Sequence, residues 1–162
     1  MNYIHLFSAR SGYLRLSLSV GFIIAAALFV SWTAAADDGA ITAGMPAHLG
    51  TADVGNGEKL FKRRCRACHT NTKDGPNKTG PNLWNIVGRE QGAKEGVRYS
   101  EGMKAKGGHW GFAELDAFLT RPADYVPDTR MAFPGLRKAS DRADLIAYLR
   151  SLSDDPLPFS MN

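Results

Sequence analysis

The sequence predicts an all-α domain, and three observations carry that prediction. Apolar residues recur at helical spacing in separate stretches: Leu60 and Phe61; Phe112, Leu115, Phe118 and Leu119; Leu145, Tyr148, Leu149 and Leu152. The stretches between them are rich in Gly and Pro, and 17 glycines in 162 residues imply much loop and few strands. No internal repeat and no long disordered run interrupts the pattern. With 44% hydrophobic and 22% charged residues, the composition is that of an ordinary globular domain with extensions.

The chain opens with Arg10 and Arg15 and no acidic residue before Asp37. An uncharged apolar run over 16–32 leads to Ala34-Ala35-Ala36. A basic start, apolar middle and small-residue exit describe a secretory signal peptide over residues 1–36. The run over 16–36 is also just long enough for an uncleaved membrane anchor. The alanine triplet favours cleavage, and both readings export the rest of the chain. Removing the two arginines lowers the formal charge from +4 to about +2. Residues 37–54 are Gly-, Ala- and Thr-rich without apolar period and are expected to be a flexible linker. Met45 and His48 lie there and are not taken as ligands. The domain is expected over 55–153, with a tail over 154–162.

Asn56 is the expected N-cap of a first helix, with Glu58 in its first turn. That helix is expected to run into Cys65-Arg66-Ala67-Cys68-His69. Gly57 reads either as a weak helix residue or as the close approach of another helix. Positions 65, 68 and 69 share one helical face. Two thiols three apart can each reach one vinyl group of a porphyrin, and the following histidine can reach its iron; this is the pattern for covalent c-type haem. Competing uses of the motif are a short disulfide, a thioredoxin-type pair and half a zinc site. The second lacks a βαβ context, and the third lacks further cysteines, with His48 and His109 at unhelpful spacings.

Gly75-Pro76 and Gly80-Pro81 mark a loop after His69. The Pro81 carbonyl is free to accept from the second imidazole nitrogen of His69, which would fix the tautomer of a metal ligand; a plain turn proline is the alternative. Residues 82–87 are expected to form one short helix. Residues 88–108 are expected to be loop, carrying Arg89, Tyr99 and Ser100. Trp110 has an indole N–H that a haem propionate or a core carbonyl could accept. The helix containing Phe112 to Leu119 should stop at Pro122. Residues 125–135 read as extended, and Pro127 and Pro134 stiffen the segment around Met131. A lone methionine is usually core filler; a thioether opposite imidazole is also a recognised axial pair for c-type haem iron. Ser140 is the expected cap of the last helix, followed by Asp141 and Asp144. Its apolar stripe should pack near Gly57 and Phe61.

The stretch 57–149 resembles class I cytochrome c of the soluble mitochondrial and α-proteobacterial kind. The residues that carry the resemblance are Gly57, Phe61, Cys65, Cys68 and His69, then Thr79-Gly80-Pro81-Asn82-Leu83, Gly88-Arg89, Tyr99-Ser100 and Trp110. They continue through Pro122, Tyr125, Pro127, Thr129, Met131-Ala132-Phe133 and Asp144-Leu145-Ile146-Ala147-Tyr148-Leu149. The resemblance implies N- and C-terminal helices packed crosswise around one haem c. The haem would be thioether-linked to Cys65 and Cys68, with His69 and Met131 as axial ligands and the Pro81 carbonyl supporting His69. Arg89, Tyr99 and Trp110 would lie near the propionates.

Two departures stand out. Phe118 occupies the place of a tyrosine that in many members bonds the methionine sulfur. Ala123 and Asp124 replace a lysine pair of the docking face, while Lys59, Arg64, Lys78, Arg130, Arg137 and Lys138 keep positive charge near the expected haem edge.

The function so implied is not enzymatic. It is one-electron shuttling between respiratory-chain donor and acceptor proteins with acidic docking surfaces, the electron leaving by the haem edge close to Phe133. The expected setting is the periplasm, as a monomer, with membrane association only through the N-terminal segment. The scattered basic residues give no nucleic-acid motif. Alternatives are a weak peroxidase or gas-ligand sensor, if Met131 does not hold the iron, and an anchored module serving one oxidase.

Overall fold

Asp53 starts the first helix. Its carboxylate accepts from the Asn56 backbone N–H at 3.0 Å, so the cap lies three residues before the Asn56 that the sequence suggests. A computed structural model describes residues 48–159. The expected signal peptide and most of the expected linker, with Met45, lie outside the described residues. After a 3-10 turn at Leu49–Thr51 come α1 (Val54–Arg64), α2 (Glu101–Ala105), α3 (Phe112–Thr120), α4 (Pro122–Tyr125) and α5 (Ala139–Ser151). Among the described residues, extended pairing is limited to an isolated antiparallel bridge between Glu90 and His109.

The fold is organised by α1 against α5. Gly57 sits at the crossing, where a Cβ would run into the Asp144 carbonyl and the Tyr148 Cβ. The missing side chain is what lets the two backbones meet. Asp144 then bridges the helices: its carboxylate accepts from Asp53 N–H at 2.7 Å and from Asn56 Nδ2 at 2.8 Å. Phe61 packs on Tyr148 with ring centroids 5.7 Å apart. Leu60, Phe61, Leu145, Ile146 and Leu149 are all buried. Each such side chain contributes about 1.5–3 kcal/mol of burial, so this crossing is a main source of stability. Leu49 is 2% exposed, so the folded part begins inside the segment expected to be a linker.

Several local expectations change. Ser140 does not cap α5; the cap position is Lys138, without a side-chain bond. Residues 82–87 form turns rather than a helix. Asn82 is the reason: its amide donates to the Thr72 and Gly75 carbonyls, and its Oδ1 accepts from Trp84 N–H at 2.7 Å. Side-chain bonds of this kind compete with helical ones, and Asn85 then adopts a left-handed φ of 55°. Within 88–108, expected to be loop, Ser100 caps the five-residue α2 by accepting from Met103 N–H, and Met103 is buried. Pro122 ends α3 as expected and also opens α4 as its first residue.

The expected tail is packed. The Asp154 carboxylate accepts from Lys73 Nζ, Trp84 Nε1 and Asn85 Nδ2 at 2.7, 3.2 and 3.3 Å. Arg150 donates to the Leu157 carbonyl and lies over the Phe159 ring, which packs on Phe112. A segment rich in proline reads as tail because most of the bonds of Asp154 go to residues distant in sequence, Lys73, Trp84 and Asn85.

Candidate functional site: a cavity between the cysteine motif and the methionine segment

The end of α1 delivers the cysteine motif. The helix stops at Arg64, short of the expected Cys68, because Cys65 and Arg66 N–H both turn onto the Phe61 carbonyl. One further turn follows, closed by His69 N–H to the Cys65 carbonyl at 3.0 Å. The four-residue relation between positions 65 and 69 therefore survives without a continuous helix.

Cys65, Cys68 and His69 line a cavity of about 280 Å3. Its walls are largely apolar: Leu83, Ile86, Met103, Leu115, Leu119, Leu145 and Leu149 come from every part of the fold. The same cavity is lined by Pro81, Arg89, Tyr99, Trp110, Met131 and Phe133. All nine residues singled out from the sequence are thus brought together. Ile86, Met103, Leu115, Leu119, Leu145 and Leu149 were not singled out as wall residues. Apolar periodicity marks Leu115, Leu119, Leu145 and Leu149 as core, while Ile86 and Met103 carry no such pattern, and a buried apolar ligand is walled by core side chains.

His69 is the most constrained of the set. Its Nδ1 lies 2.7 Å from the Pro81 carbonyl. A carbonyl can only accept, so Nδ1 carries the proton and Nε2 keeps a lone pair for a metal. Gly80 lies against the imidazole so closely that a Cβ there would overlap the ring. Burial lowers the His69 pKa, the Pro81 bond works against that, and Arg89 and Lys78 lower it further. The neutral, ligating form is favoured.

The two cysteines are free thiols. Burial, and then the neighbouring Cys68, pushes the Cys65 thiol up to about 11. Among the described residues no three His, Cys, Asp or Glu side chains converge as a zinc site would require.

Arg89 gives the clearest test of whether a haem suits the cavity. Its Nη1 donates to the Asn82 and Trp84 carbonyls at 3.1 and 3.3 Å. Its Nη2 is buried and has no partner among the described residues. An unpaired buried donor is costly, and a carboxylate in the cavity would satisfy it. Burial lowers the Arg89 pKa, which the nearby Tyr99 partly offsets; burial likewise raises that of Tyr99. Two thiols, a neutral imidazole, a thioether, apolar walls and an unpaired guanidinium fit a haem with its propionates.

Met131 is half-buried against the core, and its N–H donates to Thr129 Oγ1 at 3.3 Å. Phe118 lines the same cavity and stacks in an aromatic group, 4.9 Å from Trp110 and 5.7 Å from Tyr125. Tyr125 is engaged elsewhere, with its hydroxyl on Gln91.

Of the six positive residues expected near the haem edge, all are exposed, and Arg64 and Arg130 line the cavity together with Arg98. Lys78 donates to the Arg66 carbonyl at 2.8 Å. His109 is exposed and does not line the cavity.

Comparison with known proteins agrees with this geometry. The cytochrome c family model matches residues 54–153. A cytochrome c homolog of Bradyrhizobium diazoefficiens is 48% identical over 111 residues, covering 68% of this chain and 60% of that protein. The cytochrome c of Gibberella zeae is 50% identical over 98 residues, 60% of this chain and 92% of that protein. A cytochrome c homolog of Rickettsia bellii is 40% identical over 111 residues, 68% of this chain and 64% of that protein. The chain thus spans about 60% of the length of the Bradyrhizobium relative. With most of its described residues inside the match, the chain belongs to the cytochrome c family, whose cofactor is covalently bound haem c.

Proposed function

We propose that this protein is a single-haem electron carrier of a respiratory chain, working outside the cytoplasmic membrane with His69 and Met131 as the axial ligands. The observation that carries this reading is one apolar cavity walled by both thiols, the imidazole and the thioether. When bound, haem c supplies a one-electron iron couple.

The chain's own residues do the rest. Cys65 and Cys68 would hold the haem covalently, and the Pro81 carbonyl orients His69 through Nδ1. Arg89, with its unpaired Nη2, would hold a propionate. The apolar walls exclude water and favour the less charged, reduced state. With both axial positions filled from the protein, substrate would have no coordination place. The cavity walls also lack an acid–base pair: His69 is committed to Pro81, and His109 lies outside.

Exposed Arg64, Arg98 and Arg130 line the same cavity as Phe133, the proposed exit of the electron. Such a rim suits brief encounters with acidic donor and acceptor surfaces. Export to the periplasm rests on the basic, apolar and small-residue succession of residues 1–36. It also fits a cofactor whose attachment requires thiols delivered across the membrane.

Rapid mixing of the ferrous holoprotein tests the function. An anionic iron complex should oxidise it at a rate that falls as salt rises through the screening range, while carbon monoxide should leave its spectrum unchanged at neutral pH. Ready carbon monoxide binding would contradict the carrier and favour a ligand-binding haem. A salt-independent rate would remove the cationic docking rim.

A further inference from the structure

Met131 belongs to residues 127–138, which contain no helix or strand. Bonds within that segment are local. Thr129 N–H donates to the Val126 carbonyl, Met131 N–H to Thr129 Oγ1, and Phe133 N–H to the Met131 carbonyl. None of these three fixes the segment relative to the rest of the domain; near its start, Asp128 does, accepting from Gly102 N–H of α2 at 2.9 Å. Its far end is fixed differently. Gly135 adopts a φ of 92° and fits against the Thr120 carbonyl, and Leu136 N–H donates to the Leu119 carbonyl of α3 at 2.8 Å.

Arg142 of α5 completes that end. Its Nη1 donates to the Leu136 and Arg137 carbonyls at 2.9 and 3.1 Å. Its Nε and Nη2 grip the two oxygens of Asp116 of α3, at 2.6 and 3.4 Å. The side chains are 11% and 25% exposed. The other ion pairs among the described residues join side chains that are each 45% exposed or more. Those are screened and worth little. A half-buried two-pronged pair is not, and removing one partner strands the other charge away from water. One guanidinium therefore ties α3, α5 and the end of the Met131 segment together.

We infer that the Asp116–Arg142 pair is a latch that positions the Met131 segment and sets how readily Met131 leaves the haem iron. The inference rests on the reading of Met131 as a ligand. An outside ligand can bind only where Met131 has left, so its apparent affinity scales with the population of the released state. The latch contributes to that population without touching the cofactor, and Arg142 and Asp116 are positioning residues.

Titrating the ferric holoprotein with imidazole tests the latch, read by the near-red charge-transfer band of a Met-ligated haem and by the imidazole dissociation constant. Arg142→Leu and Asp116→Asn should tighten imidazole binding about tenfold. Arg142→Lys, which keeps the charge but not the fork, should fall between them and the parent protein. Asp144→Asn is the control: it loosens the α1–α5 crossing on the same helix without contacting the segment, and imidazole binding should stay within about twofold of the parent. A parent band with all latch variants within that twofold range would overturn the latch and leave Met131 ligation standing. Equal tightening in Asp144→Asn would also overturn it, since general destabilisation would then explain the change. A parent protein without the band would overturn the ligation and the latch together.

Discussion

The two sides of the cavity are built differently. His69 sits on a stretch whose bonds reach in several directions: its own N–H to Cys65, Gly80 N–H to the Cys68 carbonyl, Leu83 N–H to the Thr70 carbonyl, and Nδ1 to Pro81. It also comes directly after α1, which is locked to α5 at Gly57. Met131 has only local backbone bonds, its N–H to Thr129 and its carbonyl from Phe133 N–H, and its segment is held through its ends, at Asp128 and at Leu136. The contrast separates a fixed side from a releasable one. The low-stability parts of a domain are those with few bonds to the remainder. By that measure the methionine side should open first under stress, while the histidine side should hold until the domain unfolds.

The largest test of this contrast removes the foundation of both sides. In Gly57→Ala the new Cβ meets backbone of α5, which cannot move without dragging the helix. A loss of about 3 kcal/mol or more is expected. Haem absorbance and far-ultraviolet circular dichroism should then melt together at a much lower temperature. A melting temperature near that of the parent would show that the crossing is not the support of the histidine side.

A smaller effect is expected at the C-terminus. Ending the chain at Ser153 removes Leu157 and Phe159, which pack on Gly88, Phe112 and Arg150, along with the carboxylate that gathers Lys73, Trp84 and Asn85. The loss should be about 1–2 kcal/mol, seen as a lower melting temperature with imidazole binding unchanged. Tighter imidazole binding in the truncated protein would mean that the tail, too, restrains the methionine side, and the two-sided division would fail.

How much of this was legible in the sequence depends on the range of the interactions. The three longer helices announce themselves, because apolar periodicity is a local property. So does Cys65-Arg66-Ala67-Cys68-His69, where one short stretch would supply two attachment points and a ligand. Met131 carries two readings from the residues alone, core filler or a thioether presented by a proline-stiffened segment, and only the resemblance chooses between them. The rest was hidden by side chains that bond backbone. Asn82 looks like part of a helix until its amide is seen holding Thr72 and Gly75. Asp144 looks like a dipole partner of its own helix, yet its carboxylate serves Asp53 and Asn56 of the other. Five residues at α2 are too few for periodicity to register. The latch is the extreme case, since 26 positions separate Asp116 from Arg142 and neither residue carries a motif.

The central claim is that one haem iron is closed between the fixed imidazole and the releasable thioether. The most direct measurement is the near-red absorption of the ferric holoprotein at neutral pH, recorded beside Met131→Ala. The parent should show the thioether-to-iron charge-transfer band and the variant should lack it, with a lowered reduction potential. A parent without the band, or a variant that keeps both band and potential, would contradict the account.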